Sequence, residues 1–88
     1  MSDTVSVLFT VEAEASPGLL PRLLQPFAKR DLTPDHMVSQ HHRGRMRIEL
    51  GMEHMPAEMV HLVAGNLGQV VGVYRVTEWR EPGLKAAA

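Results

Sequence analysis

The sequence predicts an α+β domain: one four-stranded antiparallel sheet with two helices packed on one of its faces. Three observations carry this expectation. The chain has 88 residues and no cysteine, so it holds one small core with neither a disulfide nor a thiolate metal site to staple it. Strand-period and helix-period runs follow one another in the order βαββαβ. A sharp corner, Ser16-Pro17-Gly18, separates the first strand pattern from the first helix pattern.

Residues 5–14 read as the first strand, with Val5, Val7, Phe9 and Val11 alternating against Ser6, Thr10 and Glu12. Leu8 lies on the second face, so that face is not wholly polar. At the corner, Pro17 presets its φ and Gly18 bends without a Cβ penalty. The helix that follows, residues 18–30, carries an inner stripe of Leu20, Leu23, Leu24 and Phe27. Lys29 and Arg30 suit its negative end. Pro26 removes a helical hydrogen bond and predicts a kink or a broken last turn. Asp31 stands at the exit, where Gly or Asn is easier.

Residues 36–42 read as a second strand, Arg43-Gly44 as a hairpin turn, and residues 45–52 as a third strand with Met46, Ile48, Leu50 and Met52 on one face. Residues 56–67 read as the second helix, started by Pro56, with Met59, Val60, Val63, Ala64 and Leu67 inward and Gly68 as a left-handed stop. Residues 69–79 read as the last strand. Tyr74 and Trp79 on it belong either to the core or to a dimer edge. Residues 1–80 then form a single domain, and residues 81–88 form a flexible tail. This element order is the split βαβ arrangement of the ferredoxin-like fold, which by itself names no function.

A formal charge of −1 argues against a general nucleic-acid binder. The Arg43, Arg45 and Arg47 hairpin reads as a solvated surface near Glu49 and Glu12 rather than an RNA platform, because the third strand has no aromatic residue. Asp3 stands where a signal peptide carries basic residues, and no apolar run approaches a bilayer span, so a cytoplasmic protein without membrane attachment is expected. Among five histidines, His41 and His42 point to opposite faces of a strand, and no spacing builds a metal site. Ser16 lacks a nucleophile context and reads as a turn residue or cap, so no catalysis and no cofactor are expected. A core this small favours self-association.

The run Glu14-Ala15-Ser16-Pro17-Gly18-Leu19-Leu20-Pro21-Arg22-Leu23, through Phe27-Ala28-Lys29-Arg30, resembles the first strand, turn and helix of ACT domains. The closing stretch Asn66-Leu67-Gly68-Gln69-Val70-Val71-Gly72-Val73-Tyr74-Arg75-Val76 resembles the end of the same family. Within it the chain looks most like the short small (regulatory) subunit of acetolactate synthase, in branched-chain amino-acid synthesis. The resemblance implies a non-catalytic regulatory or assembly module, working as a homodimer or larger oligomer, or with a large catalytic subunit. It implies an amino-acid effector at the subunit interface. Ser16, Pro17, Gly18, Leu19 and Leu20 would form the binding turn, with backbone N–H groups at Gly18, Leu19 and Leu20 receiving a carboxylate. Asp35, His36 and Met37 would complete the pocket from the neighbouring subunit. Gly18→Asp is expected to damage this corner through steric and charge effects.

Three departures stand against this pattern: Ala15 where ligand-binding relatives carry Asn or Asp, Asp31 where they carry Gly, and Pro26 inside the helix. Ala15 favours the alternative of a purely structural protein-interaction domain without a small ligand. A nucleic-acid-binding module of this fold is a further, weaker alternative.

Overall fold

The alternation of Val7, Phe9, Val11 and Ala13 puts one face of the first strand wholly out of water, and the rest of the fold is built over that face. The computed structural model describes residues 3–81. β1 (Thr4–Glu14) is followed by α1 (Leu19–Ala28), β2 (His36–His42), β3 (Arg45–Pro56), a single 3-10 turn (Ala57–Met59), α2 (Val60–Gly68) and β4 (Val73–Glu81). The strands form one antiparallel sheet in the order β2-β3-β1-β4, the expected ferredoxin-like topology.

Leu19, Leu23 and Phe27 of α1 and Val60, Val63 and Leu67 of α2 cover the inner face of β1 and β3, where Ile48, Leu50 and Met55 are fully buried. Phe9 and Phe27 meet edge to face, with centroids 5.8 Å apart. Among the described residues no helix covers the other sheet face, which carries Leu8, Gly51 and Trp79 among polar residues.

Several boundaries differ from the sequence expectation. The helix runs through Pro26, whose ring is buried, and ends at Ala28. Asp31 then takes a left-handed φ of 57°. The Asp31 N–H donates to the Ala28 carbonyl (3.1 Å) and the Leu32 N–H to the Phe27 carbonyl (2.9 Å), a Schellman ending in which Asp31 does the work of glycine. Arg30 donates to the Pro26 carbonyl (2.8 Å) and to Asn66 Oδ1 (2.9 Å), tying the end of α1 to α2.

β3 extends to Pro56 because a bulge sets two residues, Glu53 and His54, opposite Ser6. The bulge resets the side-chain phase, so Met52 and Met55 both point inward although they are three residues apart. Gly68 is the last residue of α2 and is not left-handed. The left-handed glycine is Gly72 (φ 95°), and β4 starts after it rather than at Gln69. Val70 and Val71 lie in that turn. Glu81, assigned to the tail from sequence, ends β4, and the remainder of the expected tail lies outside the described residues. Tyr74 and Trp79 are both exposed and neither enters the core.

Candidate functional site

Three turns converge at the C-terminal end of β1. The first is the Ser16–Gly18 corner. The second is the Arg43-Gly44 hairpin, in which both residues have positive φ (54° and 80°), as a two-residue I′ turn requires. The third is the turn at Gly72. The Ala15 N–H donates to the Gly44 carbonyl (2.8 Å) and the Glu14 N–H to the Gly72 carbonyl (2.9 Å), so both turns are locked against the corner.

Gly18 is the N-cap of α1, with φ −96° and no side-chain cap. Ser16 therefore acts through its carbonyl, which accepts the Leu19 N–H at 3.1 Å. That bond removes Leu19 from the three N–H groups expected to face an anion, and its side chain is fully buried in the core. Among the described residues, Gly18 and Leu20 keep N–H groups that no backbone acceptor takes. Ser16 and Pro17 are exposed.

The residue that sequence reasoning missed is Arg22. Its guanidinium lies over Gly18, where a Cβ would come within 3.1 Å of Arg22 Cζ. One helical turn separates the two residues, so the side chain of Arg22 folds back toward the N-terminus, the direction helical side chains take. Helix dipole and guanidinium thus coincide at the corner. Arg22 also begins a shallow groove of about 320 Å³ that runs between α1 and the α2–β4 turn, lined by Gln25, Lys29, Asn66, Gln69 and Val71. Val71 is 79% exposed there.

Asp35, His36 and Met37 are not at this end. His36 pairs with Gly51, and Gly51 pairs with Leu8, which is six residues before Glu14 along β1. At strand rise that separation is about 20 Å. Within one chain the corner and these three residues are apart. Met37 pairs with Leu50 and so sits on the helix side of the sheet, whereas His36 sits on the open side. The Asp35 carboxylate accepts the Glu53 N–H at 2.7 Å, and the Asp35 N–H donates to the Gly51 carbonyl at 2.8 Å. Both bonds fix the entry into β2 beside the bulge.

Comparison with known proteins agrees with this fold. The model of the ACT-like domain family matches residues 1–84. The chain belongs to the ACT-like domain family. Its fold is similar to the ACT domain of GTP pyrophosphokinase from Chlorobium tepidum, with a TM-score of 0.74 and 16% identity over 86% of this chain and 99% of that one. It is also similar to part of a homoserine dehydrogenase from Thiobacillus denitrificans, with a TM-score of 0.76 and 18% identity over 90% of this chain but 18% of that one. The C-terminal domain of the MgtC protein from Mycobacterium tuberculosis matches with a TM-score of 0.67 and 15% identity, over 89% of this chain and 88% of that one. No curated protein sequence matches the chain. The ACT-like family is one of regulatory modules, which often sit in larger enzymes and oligomerise. None of these matches points to acetolactate synthase. No helix among the described residues is long and apolar enough to cross a membrane.

Proposed function

We propose that this ACT-like domain is a regulatory and assembly module that binds an amino acid at the Ser16–Leu20 corner, between two copies of the chain. The observation that carries the reading is Arg22 lying over Gly18 at the start of α1. A carboxylate there would meet a guanidinium, the Gly18 and Leu20 N–H groups and the positive end of the helix dipole. The adjoining groove would hold the side chain against Val71. Asp35, His36 and Met37 of a second copy would close the site, and Asp35 would supply the partner for the ligand's amine that Ala15 does not. Binding would then favour one arrangement of copies over another and pass that preference to an associated enzyme. Assignment to acetolactate synthase as that enzyme, and to branched-chain amino-acid synthesis, rests on the sequence resemblance alone.

The test is thermal unfolding against the twenty amino acids, with the oligomeric mass measured on the same sample. A ligand at about 100 times its dissociation constant adds roughly 2.7 kcal/mol, a clear shift in Tm. Gly18→Asp separates binding from folding. Its backbone φ suits any residue, and Asp is a favoured N-cap. A Cβ there would crowd only the far end of the Arg22 side chain, which is free to shift. The variant should fold normally, place its own carboxylate against Arg22 and abolish the amino-acid response. A well-formed oligomer with no shift for any amino acid would sink the reading. It would favour a purely structural interaction domain, which Ala15 already supports.

A further inference from the structure

We propose that the open face of the sheet holds a second site, which shares Asp35 and His36 with the edge that a second copy would bring to the corner and which binds an organic cation: an amine or quaternary ammonium on an apolar or aromatic body, without a carboxylate. The site is a groove of about 720 Å³ at the N-terminal end of β1, within the size range of small-molecule clefts. One cross-strand row builds its floor and walls. His36 of β2 pairs with Gly51 of β3, Gly51 with Leu8 of β1, and Leu8 with Trp79 of β4.

Gly51 is where the floor drops. Its missing side chain lets His36 pack down, so that a Cβ at Gly51 would come within 3.3 Å of His36 Cβ. Three strand spacings of about 4.8 Å separate the backbones of His36 and Trp79, which leaves width for a flat ring between the two side chains. Trp79 is 59% exposed although it sits over half-buried Leu8. An indole so exposed keeps apolar surface available to a bound molecule.

Charge decides the kind of molecule. Asp35 and Glu53 line the end of the groove, Glu81 also contributes to the lining, and among the described residues no lysine or arginine does. The arginines of this face, Arg45, Arg47 and Arg75, belong to rows nearer the corner, and Arg47 is paired with Glu49. A cation over an indole beside carboxylates gains both cation–π and Coulombic attraction, whereas an anion or a zwitterion meets repulsion. The bulge makes the arrangement rigid: Asp35 accepts the Glu53 N–H, and Ser6 Oγ donates to the Glu53 carbonyl at 3.1 Å. This groove and the corner therefore differ in the sign of the ligand they select.

Trp79 is the only tryptophan of the chain, so its fluorescence reads the groove directly. The full chain is titrated with phenethylamine, phenethyl alcohol and phenylpropionate, which share a body and differ in charge. The amine should give a saturable change in Trp79 emission, at least tenfold tighter than the alcohol, and phenylpropionate should give none. Glu53→Gln should weaken the amine several-fold, and Glu53→Lys should abolish its binding, with unfolding midpoints near that of the parent. Trp79→Leu, followed by calorimetry, should lose the amine as well. Equal responses to all three probes, no saturable response, or indifference to Glu53→Lys would overturn the proposal. So would a Trp79 emission shift that depends on protein concentration alone, which would mean that a second copy covers this face. Phenylalanine, a zwitterion, separates the two sites: a thermal response that Gly18→Asp abolishes and Glu53→Lys leaves in place belongs to the corner.

Discussion

At the C-terminal end of β1 a guanidinium, Arg22, lies over Gly18, and at the N-terminal end an imidazole, His36, lies over Gly51 beside the Asp35 and Glu53 carboxylates. Both places use a glycine to let a polar side chain come close to the backbone. They differ in how that side chain is held. Arg22 reaches Gly18 with the tip of a long, exposed chain, so the tip moves aside at little cost. His36 meets Gly51 with its Cβ, on a strand that is hydrogen-bonded to the strand of Gly51. Gly18 makes room for a movable side-chain tip, and Gly51 sets the shape of the sheet surface.

The largest effect should come from breaking what both ends share. Phe27→Ala removes a fully buried ring that meets Phe9 edge to face and should cost about 3–5 kcal/mol, read by chemical denaturation. Both ligand responses should then disappear together, as unfolding takes both ends at once.

Next in size, Gly51→Val should cost about 1–3 kcal/mol, because the added methyls press on a side-chain stem that cannot swing away. It should change Trp79 emission and, because His36 of a second copy is proposed to close the corner, weaken the amino-acid response there once stability is allowed for. An intact corner response at unchanged oligomeric mass would remove His36 from that site.

Gly72→Ala tests the corner from behind. At φ 95° an alanine is strained by about 1–2 kcal/mol, even though its nearest neighbour, the Glu14 carbonyl, is an unhindered 3.7 Å from the new Cβ. The expected readout is a lower Tm and a weaker corner response with unaltered Trp79 emission. The smallest effect belongs to Gly18→Asp, which should raise stability by a few tenths of a kcal/mol as a better N-cap. A large destabilisation there would show that Arg22 is held as firmly as His36.

Much of the fold was legible because it follows from local periodicity. β2 and the Arg43-Gly44 turn fall where their residues place them. The β3 bulge was not legible, since the inward residues Met52 and Met55 break the period of two that identifies a strand. Pro26 and Asp31 were legible as the end of α1, which stops at Ala28 with Asp31 left-handed, whereas the tie of Arg30 to Asn66 depends on where α2 lies.

The order of elements, the inward stripe on β1 and the Pro17-Gly18 corner were determined by the sequence alone, because each depends on residues within a turn or a few positions of one another. The charge at the corner needs only the start of α1, one turn from Arg22, whereas the row on the open face was decided only by the tertiary structure. Arg22 reaches Gly18 because α1 starts at Leu19, as its N-cap geometry sets. The row His36, Gly51, Leu8 and Trp79 spans all four strands, and its members meet only through the register of three strand pairings. A shift of one residue in any of them would turn a side chain of that row to the helix face and take the groove apart.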